Sequence, residues 1–254
     1  MLNGVLVESA AGRWHFGGGI GKRGIVARFG GFEVRTAAAL ALAALAAGCV
    51  TKPKPSPGMN PTVEVGAPLK SDIWKQVATA ADEDRIARLG LAWQEALAEA
   101  RKGSADEVRK EGALLRPRAA LPRPAPTPGS YYCRLVKLGK ETPKSKVYES
   151  FKPFFCYVEV EGDLLTIVKQ TGSQRPAGRL WEDDDSTRLV FLGSLALGNE
   201  EQPIAYGDDP KRDMAGVLER IAPFKWRLVI PWPQSTSKLD VFELTPVAQQ
   251  PSSE

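Results

Sequence analysis

Five prolines crowd into residues 116–129 (RPRAALPRPAPTPG), and no continuous helix or central strand can pass through such a stretch. Each proline ring removes a backbone N–H and fixes φ near −65°. The segment is therefore a stiff connector, and the chain reads as two different halves about it. Before it, apolar residues recur every three to four positions. After it, they alternate, or come in short runs between turn residues.

The half before the connector reads as helical. Ser71 is placed to cap a short turn carrying Ile73, Trp74 and Val77. A longer helix is expected from Asp82 to Lys102, with Ile86, Leu89, Trp93, Leu97 and Ala100 forming one apolar stripe. Asp82, Glu83 and Asp84 fall in its first turn, and Arg101 and Lys102 in its last, as the helix dipole favours. Gly103 ends it, and Ser104 with Glu107 makes a capping box for a second helix over about 105–115. Residues 71–115 are thus expected to form a helical hairpin.

The half after the connector, 130–246, reads as β. Candidate strands are Tyr131–Leu138, Phe154–Glu161, Asp163–Thr171, Gly178–Asp183, Thr187–Leu197, Met214–Ile221, Phe224–Pro231 and Leu239–Leu244. Met214–Ile221 also fits a helical period. About eight short strands joined by short turns predict an antiparallel meander closed into a small barrel, of the lipocalin or streptavidin kind. The fold class is α+β, a helical hairpin followed by that barrel, with a two-sheet sandwich as the alternative.

Ahead of both halves lies a leader. Thr36–Ala47 is a run of 12 small or apolar residues preceded by Arg35, too short to span a bilayer. It ends in Leu45-Ala46-Ala47-Gly48-Cys49, which resembles the lipobox of bacterial lipoproteins. That resemblance implies cleavage before Cys49, diacylglycerol on its thiol, acylation of the freed amine, with palmitate among the acyl chains, and anchorage on the periplasmic side of the outer membrane. Each buried methylene of such a chain contributes roughly 0.8 kcal/mol. Residues 1–33 are glycine-rich, unlike a signal peptide, and read as lying upstream of a translation start near Val34. Residues 49–70, rich in proline and glycine near their start, are expected to be a flexible tether, and 247–254 a disordered tail.

Charge and cysteine usage narrow the function. Of 34 basic and 30 acidic residues, five and two lie in 1–48, so the remainder carries 29 and 28. That balance gives no footprint for nucleic acid. Setting Cys49 aside leaves Cys133 and Cys156, an even pair on adjacent strands, expected to be a structural disulfide in an oxidising compartment. The single histidine, His15, lies in the leader. His-based nucleophile systems and imidazole zinc sites are therefore excluded from the rest of the chain. Asp183, Asp184, Asp185, Asp208 and Asp209 have no metal-loop spacing and read as solvated turns. No catalytic residue, metal or cofactor is implied. Tyr132, Arg134, Gln174, Arg175, Trp181 and Arg227 are the candidates for a binding surface, because aromatic or polar-tipped groups on strands and turns can line a barrel mouth. The partner would be an envelope protein, a glycan or a small apolar ligand, besides the membrane reached through lipid.

The residues Tyr131-Tyr132-Cys133-Arg134, Thr171-Gly172-Ser173-Gln174-Arg175-Pro176, Phe191-Leu192-Gly193, Arg212-Asp213, and Leu218-Glu219-Arg220-Ile221 with Trp226-Arg227-Leu228 resemble the domain-of-unknown-function family 4893. The likeness runs from Trp93 to Pro246 and carries no catalytic residue with it. More loosely, a lipobox ahead of a disulfide-bearing small barrel is similar to the envelope metalloprotease-inhibitor lipoproteins. The leading expectation is a non-catalytic envelope lipoprotein. Its rivals are a protease-inhibitor-like barrel and a His-free hydrolase working with carboxylates.

Overall fold

The computed structural model describes residues 68–248, apart from 199 and 235. The leader, Cys49, the tether up to residue 67 and the tail from residue 249 lie outside the described residues.

Four helices come first: α1 (Lys70–Lys75), α2 (Ala80–Ala87), α3 (Leu89–Gly103) and α4 (Ala105–Lys110), followed by a 3-10 turn at Gly112–Leu115. The helix expected over 82–102 is two helices. Arg88, at φ −93° and ψ 13°, breaks the ladder between α2 and α3. Ser71 lies inside α1 and does not cap it, and Ser104 precedes α4 without a side-chain cap bond. Thr79 is the hydroxyl that caps, accepting from the Asp82 N–H. The apolar stripe holds, with Ile86, Trp93, Leu97 and Ala100 all buried. Among the described residues, no helix is long and apolar enough to cross a membrane.

Nine antiparallel strands follow: β1 (Gly129–Leu138), β2 (Tyr148–Ser150), β3 (Phe154–Glu161), β4 (Leu164–Lys169), β5 (Gln174–Glu182), β6 (Arg188–Leu197), β7 (Asp213–Ala222), β8 (Lys225–Pro231) and β9 (Leu239–Pro246). From β3 to β9 each strand pairs with the next, and β1 pairs with both β3 and β9, so eight strands close a barrel. All eight expected strands are present, and Met214–Ile221 is strand. The ninth, β2, escaped the sequence reading because it has only three residues. It extends the β3 side of β1 past an interruption at Phe151–Pro153, where the proline has no N–H for the ladder.

Two cores divide the strands by parity. Inside the barrel lie Tyr131, Cys133, Cys156, Phe191, Leu218, Leu228, Ile230 and Leu244. On its outer face Val136, Leu138, Val190, Leu192, Val217, Val229 and Val241 pack against Trp74, Ile86, Trp93 and Leu97 of the helices. The helices thus lie along the barrel wall, α1 on β5, α2 on β7, and α3 on β1, β8 and β9. The connector is pinned to the same wall. The Leu121 N–H donates to the Arg220 carbonyl at 2.8 Å, and the Arg220 guanidinium donates to the Pro122 carbonyl.

The barrel centre is filled by a local exchange of space. Gly178 on β5 and Gly193 on β6 face each other, and the Phe191 ring occupies the volume their side chains would take. A Cβ on Gly193 would fall 2.2 Å from the Ala177 carbonyl and 2.8 Å from Phe191 Cζ. Cys133 and Cys156 are disulfide-bonded across β1 and β3, Cα atoms 6.0 Å apart, closing a span of 23 residues. Such a loop is worth about 3 kcal/mol in the chain-entropy account.

Two outcomes are expected. Gly193→Ala lowers the melting temperature by several degrees, because the ring and the neighbouring strand must both move; thermal denaturation followed by circular dichroism measures it. Alkylation without reductant labels neither Cys133 nor Cys156, and alkylation after reduction labels both, as read by peptide mass spectrometry.

Candidate functional site

The two ends of the barrel differ. At one end Tyr131 and Trp226 meet edge to face, ring centroids 6.0 Å apart, and the Tyr131 hydroxyl donates to the Thr127 carbonyl. Apolar rings and the connector fill that end. At the other end a cavity of about 280 Å³ opens among β1, β4, β5, β6, β7, β9 and the loop between β8 and β9. Its walls are Leu135, Pro176, Leu195, Met214 and Phe242, with Lys137, Lys169, Gln174 and Asp240 among them. A void of about 20 Å³ beneath, bordered by Phe154, Cys156, Ile167 and Leu244, shares Lys169, Pro176 and Phe242 with it. The lumen is therefore packed in the middle and open at one mouth.

The inward charges there are few and individually held. Lys137 Nζ lies 3.7 Å from Asp240 Oδ2, and the Ser237 hydroxyl donates to the other Asp240 oxygen. Burial pushes the Asp240 carboxyl up, and Lys137 and Ser237 oppose it. Lys169 Nζ donates to the Gln174 carbonyl at 2.9 Å and sits 4.3 Å over the Phe154 ring. Burial pulls the Lys169 ammonium down, and the Arg175 charge adds to that.

Of the residues expected to bind, Gln174 lines this mouth. Arg175 stands beside it on β5, its guanidinium donating to the carbonyls of Gly172, Gly198 and Glu200, so it ties two rim loops together. Tyr132 is exposed on the outer wall, its ring 5.1 Å from that of Phe155. Trp181 packs on the outer wall with the helical core, and its indole nitrogen is buried without a hydrogen-bond partner among the described residues. Arg134 points outward and bonds Glu111, Glu243 and Ser150, clamping the end of α4 to β9. Arg227 is fully buried and joins sheet to helix layer. Arg134 and Arg227 are struts, because their outward parity sets them beneath the helices and the turn after them. The structure does not bring the six together.

The mouth residues that the sequence reading passed over, Lys137, Lys169 and Asp240, carry a readable signal. They are charged residues in phase with apolar residues that point inward. The acidic turn at 183–185 has a structural task. Asp183 accepts from the Trp74 indole at 3.2 Å and from Arg188 at 2.6 Å, and Asp184 accepts from the Lys70 N–H, so the turn receives α1. Among the described residues, no cluster of three or more His, Cys, Asp or Glu could hold a metal ion. Two buried carboxylates, Asp82 and Asp213, come near enough for their charges to interact. Burial raises Asp213, with Asp82 adding to it. Asp82 is taken up by Arg85 and the Tyr206 hydroxyl, and Asp213 accepts the Gly207 N–H, so both serve the seat of α2 on β7.

The family described as Domain of unknown function (DUF4893) matches residues 74–244, from α1 into β9, the last strand of the barrel. The chain belongs to that family. No curated protein and no solved structure matches it. The likeness read from the sequence is thereby shown for the family. The match takes in all three inward charged residues of the mouth and both cysteines of the disulfide.

The Arg134 clamp sets an acid limit. Burial alone would raise Glu111 and Glu243, but Arg134, with Tyr148 at the first and Lys225 at the second, holds both below the usual carboxylate range. A carboxylate depressed in the folded state adds stability at neutral pH, and that contribution is lost as pH falls from the unfolded value near 4.3 through the folded one. Urea denaturation at several pH values is expected to show stability falling below about pH 4.5 in the native chain. In Arg134→Met the neutral-pH stability drops, and that fall on acidification becomes shallower.

Proposed function

We propose that this chain is a non-catalytic binding protein, tethered to the outer membrane by lipid on Cys49, whose barrel mouth takes a small ligand with an apolar body. One observation carries the binding part: the barrel is packed solid at its centre and closed at one end, yet leaves about 280 Å³ open at the other. A barrel needing only stability would pack that end as well, since each unfilled apolar wall forfeits dispersion contacts. The lining has the makeup of a ligand site, mostly apolar with a few placed polar groups. Its lysines and carboxylate are paired or seated on aromatic and carbonyl groups, and the Ser237 hydroxyl that donates to Asp240 is itself buried, which favours retention over turnover. The anchor rests on the 12-residue apolar run Thr36–Ala47 that precedes Gly48-Cys49, and the Cys133–Cys156 disulfide supports an oxidising envelope compartment.

The binding reading is tested with the neutral apolar fluorophore N-phenyl-1-naphthylamine. Its emission is expected to rise on adding the native protein and to stay low with Leu135→Trp, a substitution that fills the mouth, while circular dichroism shows the same strand content in both. Unchanged uptake by Leu135→Trp counts against the mouth. The anchor is tested separately in a bacterial host: labelled palmitate joins the native chain, and Cys49→Ala moves it from the membrane to the soluble fraction. Persistence of Cys49→Ala in the membrane fraction removes the lipid tether.

A further inference from the structure

We propose that the ligand of this mouth is a single-chain anionic amphiphile, a medium-chain carboxylate of roughly twelve non-hydrogen atoms, with its head group on Lys169 and its chain across Leu135, Pro176 and Phe242. This rests on the reading of the mouth as a ligand site. Size comes from the cavity: an engineered apolar cavity of about 150 Å³ holds benzene, and about 280 Å³ is a little under twice that. Shape comes from the apolar wall, which continues inward past Phe242 to the small void bordered by Phe154 and Ile167.

Charge comes from the state of the cations and anions at the mouth. Lys137 is matched by Asp240 and Arg212 by Glu200, and Lys211 is exposed to solvent at the rim. Among the described residues Lys169 has no carboxylate partner; its ammonium rests on the Gln174 carbonyl and the Phe154 ring, half-buried, with the Arg175 charge near. The acids there are already engaged. Asp240 is held by Lys137 and Ser237, and Asp213 takes the Gly207 N–H. An ammonium partly desolvated beside an apolar wall is satisfied by an anion that brings its own apolar chain, because the Coulombic attraction strengthens as water is excluded. A neutral amphiphile of the same length gains only the wall.

Isothermal titration calorimetry on the full chain carrying Cys49→Ala separates the two, with decanoate and decanol compared below their aggregation limits. The expected result is binding of both, with decanoate tighter by about tenfold or more, as a charge-assisted hydrogen bond provides. In Lys169→Gln that preference disappears while decanol binds as before, which also shows the variant is folded; in Lys169→Arg the preference remains. Equal affinity for decanol and decanoate overturns the anionic head group and leaves the mouth intact as a ligand site. A preference that survives Lys169→Gln overturns the assignment to Lys169. Binding of neither probe overturns this inference together with the mouth reading on which it stands.

Discussion

A single buried guanidinium binds the two halves of this chain into one structure. Arg227 points outward from β8, yet it is completely shielded from solvent. Its Nε donates to Glu219 of β7 at 2.6 Å, and its other nitrogens donate to the carbonyls of Leu114, Arg116 and Pro117 at 2.8–3.0 Å. The Trp93 ring of α3 lies 4.8 Å from its carbon centre. A buried charge left alone would cost several kcal/mol, so the arrangement persists only if every donor is met. Only a planar fork can reach a carboxylate, the carbonyls that follow a 3-10 turn, and an aromatic face at once. Leu114 belongs to that turn, and Arg116 and Pro117 to the start of the connector. The stiff segment that separates the halves in sequence therefore supplies the acceptors that join them in space.

With the helix layer fixed, the outer wall of β6–β8 and the adjoining parts of β1 and β9 is covered, and the strands there are buried on both faces. That is why β6, β7 and β8 read as near-continuous hydrophobic runs while β3 alternates. The interior then has to be filled by side chains alone. Phe191 reaches the axis because Gly178 and Gly193 stand aside for it, and Leu218, Leu228 and Ile230 pack around it. Toward the mouth the inward positions pass to Lys137, Lys169 and Asp240, which cannot be stacked like leucines without losing their solvation. The opening follows from placing three charged residues at one level of an otherwise apolar barrel.

The period of two made most of this legible. All eight barrel strands and the α+β order can be read from the sequence, because alternation and turn residues are local signals. The disulfide followed from strand adjacency and an even cysteine count. Three features were hidden for physical reasons. The break at Arg88 depends on α2 and α3 packing against different strands, a tertiary matter that an unbroken apolar stripe conceals. Strand β2 is too short for any period to show. Arg134 and Arg227 look like surface cations, because nothing in the strand itself reveals that a helix layer covers it. The mouth lysines were open to inspection: Lys137 shares parity with Cys133 and Leu135, and Lys169 with Leu165 and Ile167.

The rim of the mouth belongs to both halves. The loop between β8 and β9 contributes Pro233, Gln234 and Thr236 to the lining. It is held from the helix side: Arg85 donates to the Trp232 carbonyl, Arg88 lies 4.5 Å from the Trp232 ring, and Lys238 pairs with Glu99. Trp232 itself adopts φ of 40°, a conformation that costs a non-glycine residue energy and that these contacts must repay. The rim is thus positioned by α2 and α3 and not by the barrel alone. The helix layer therefore does more than cover the outer wall: it holds one side of the mouth in place.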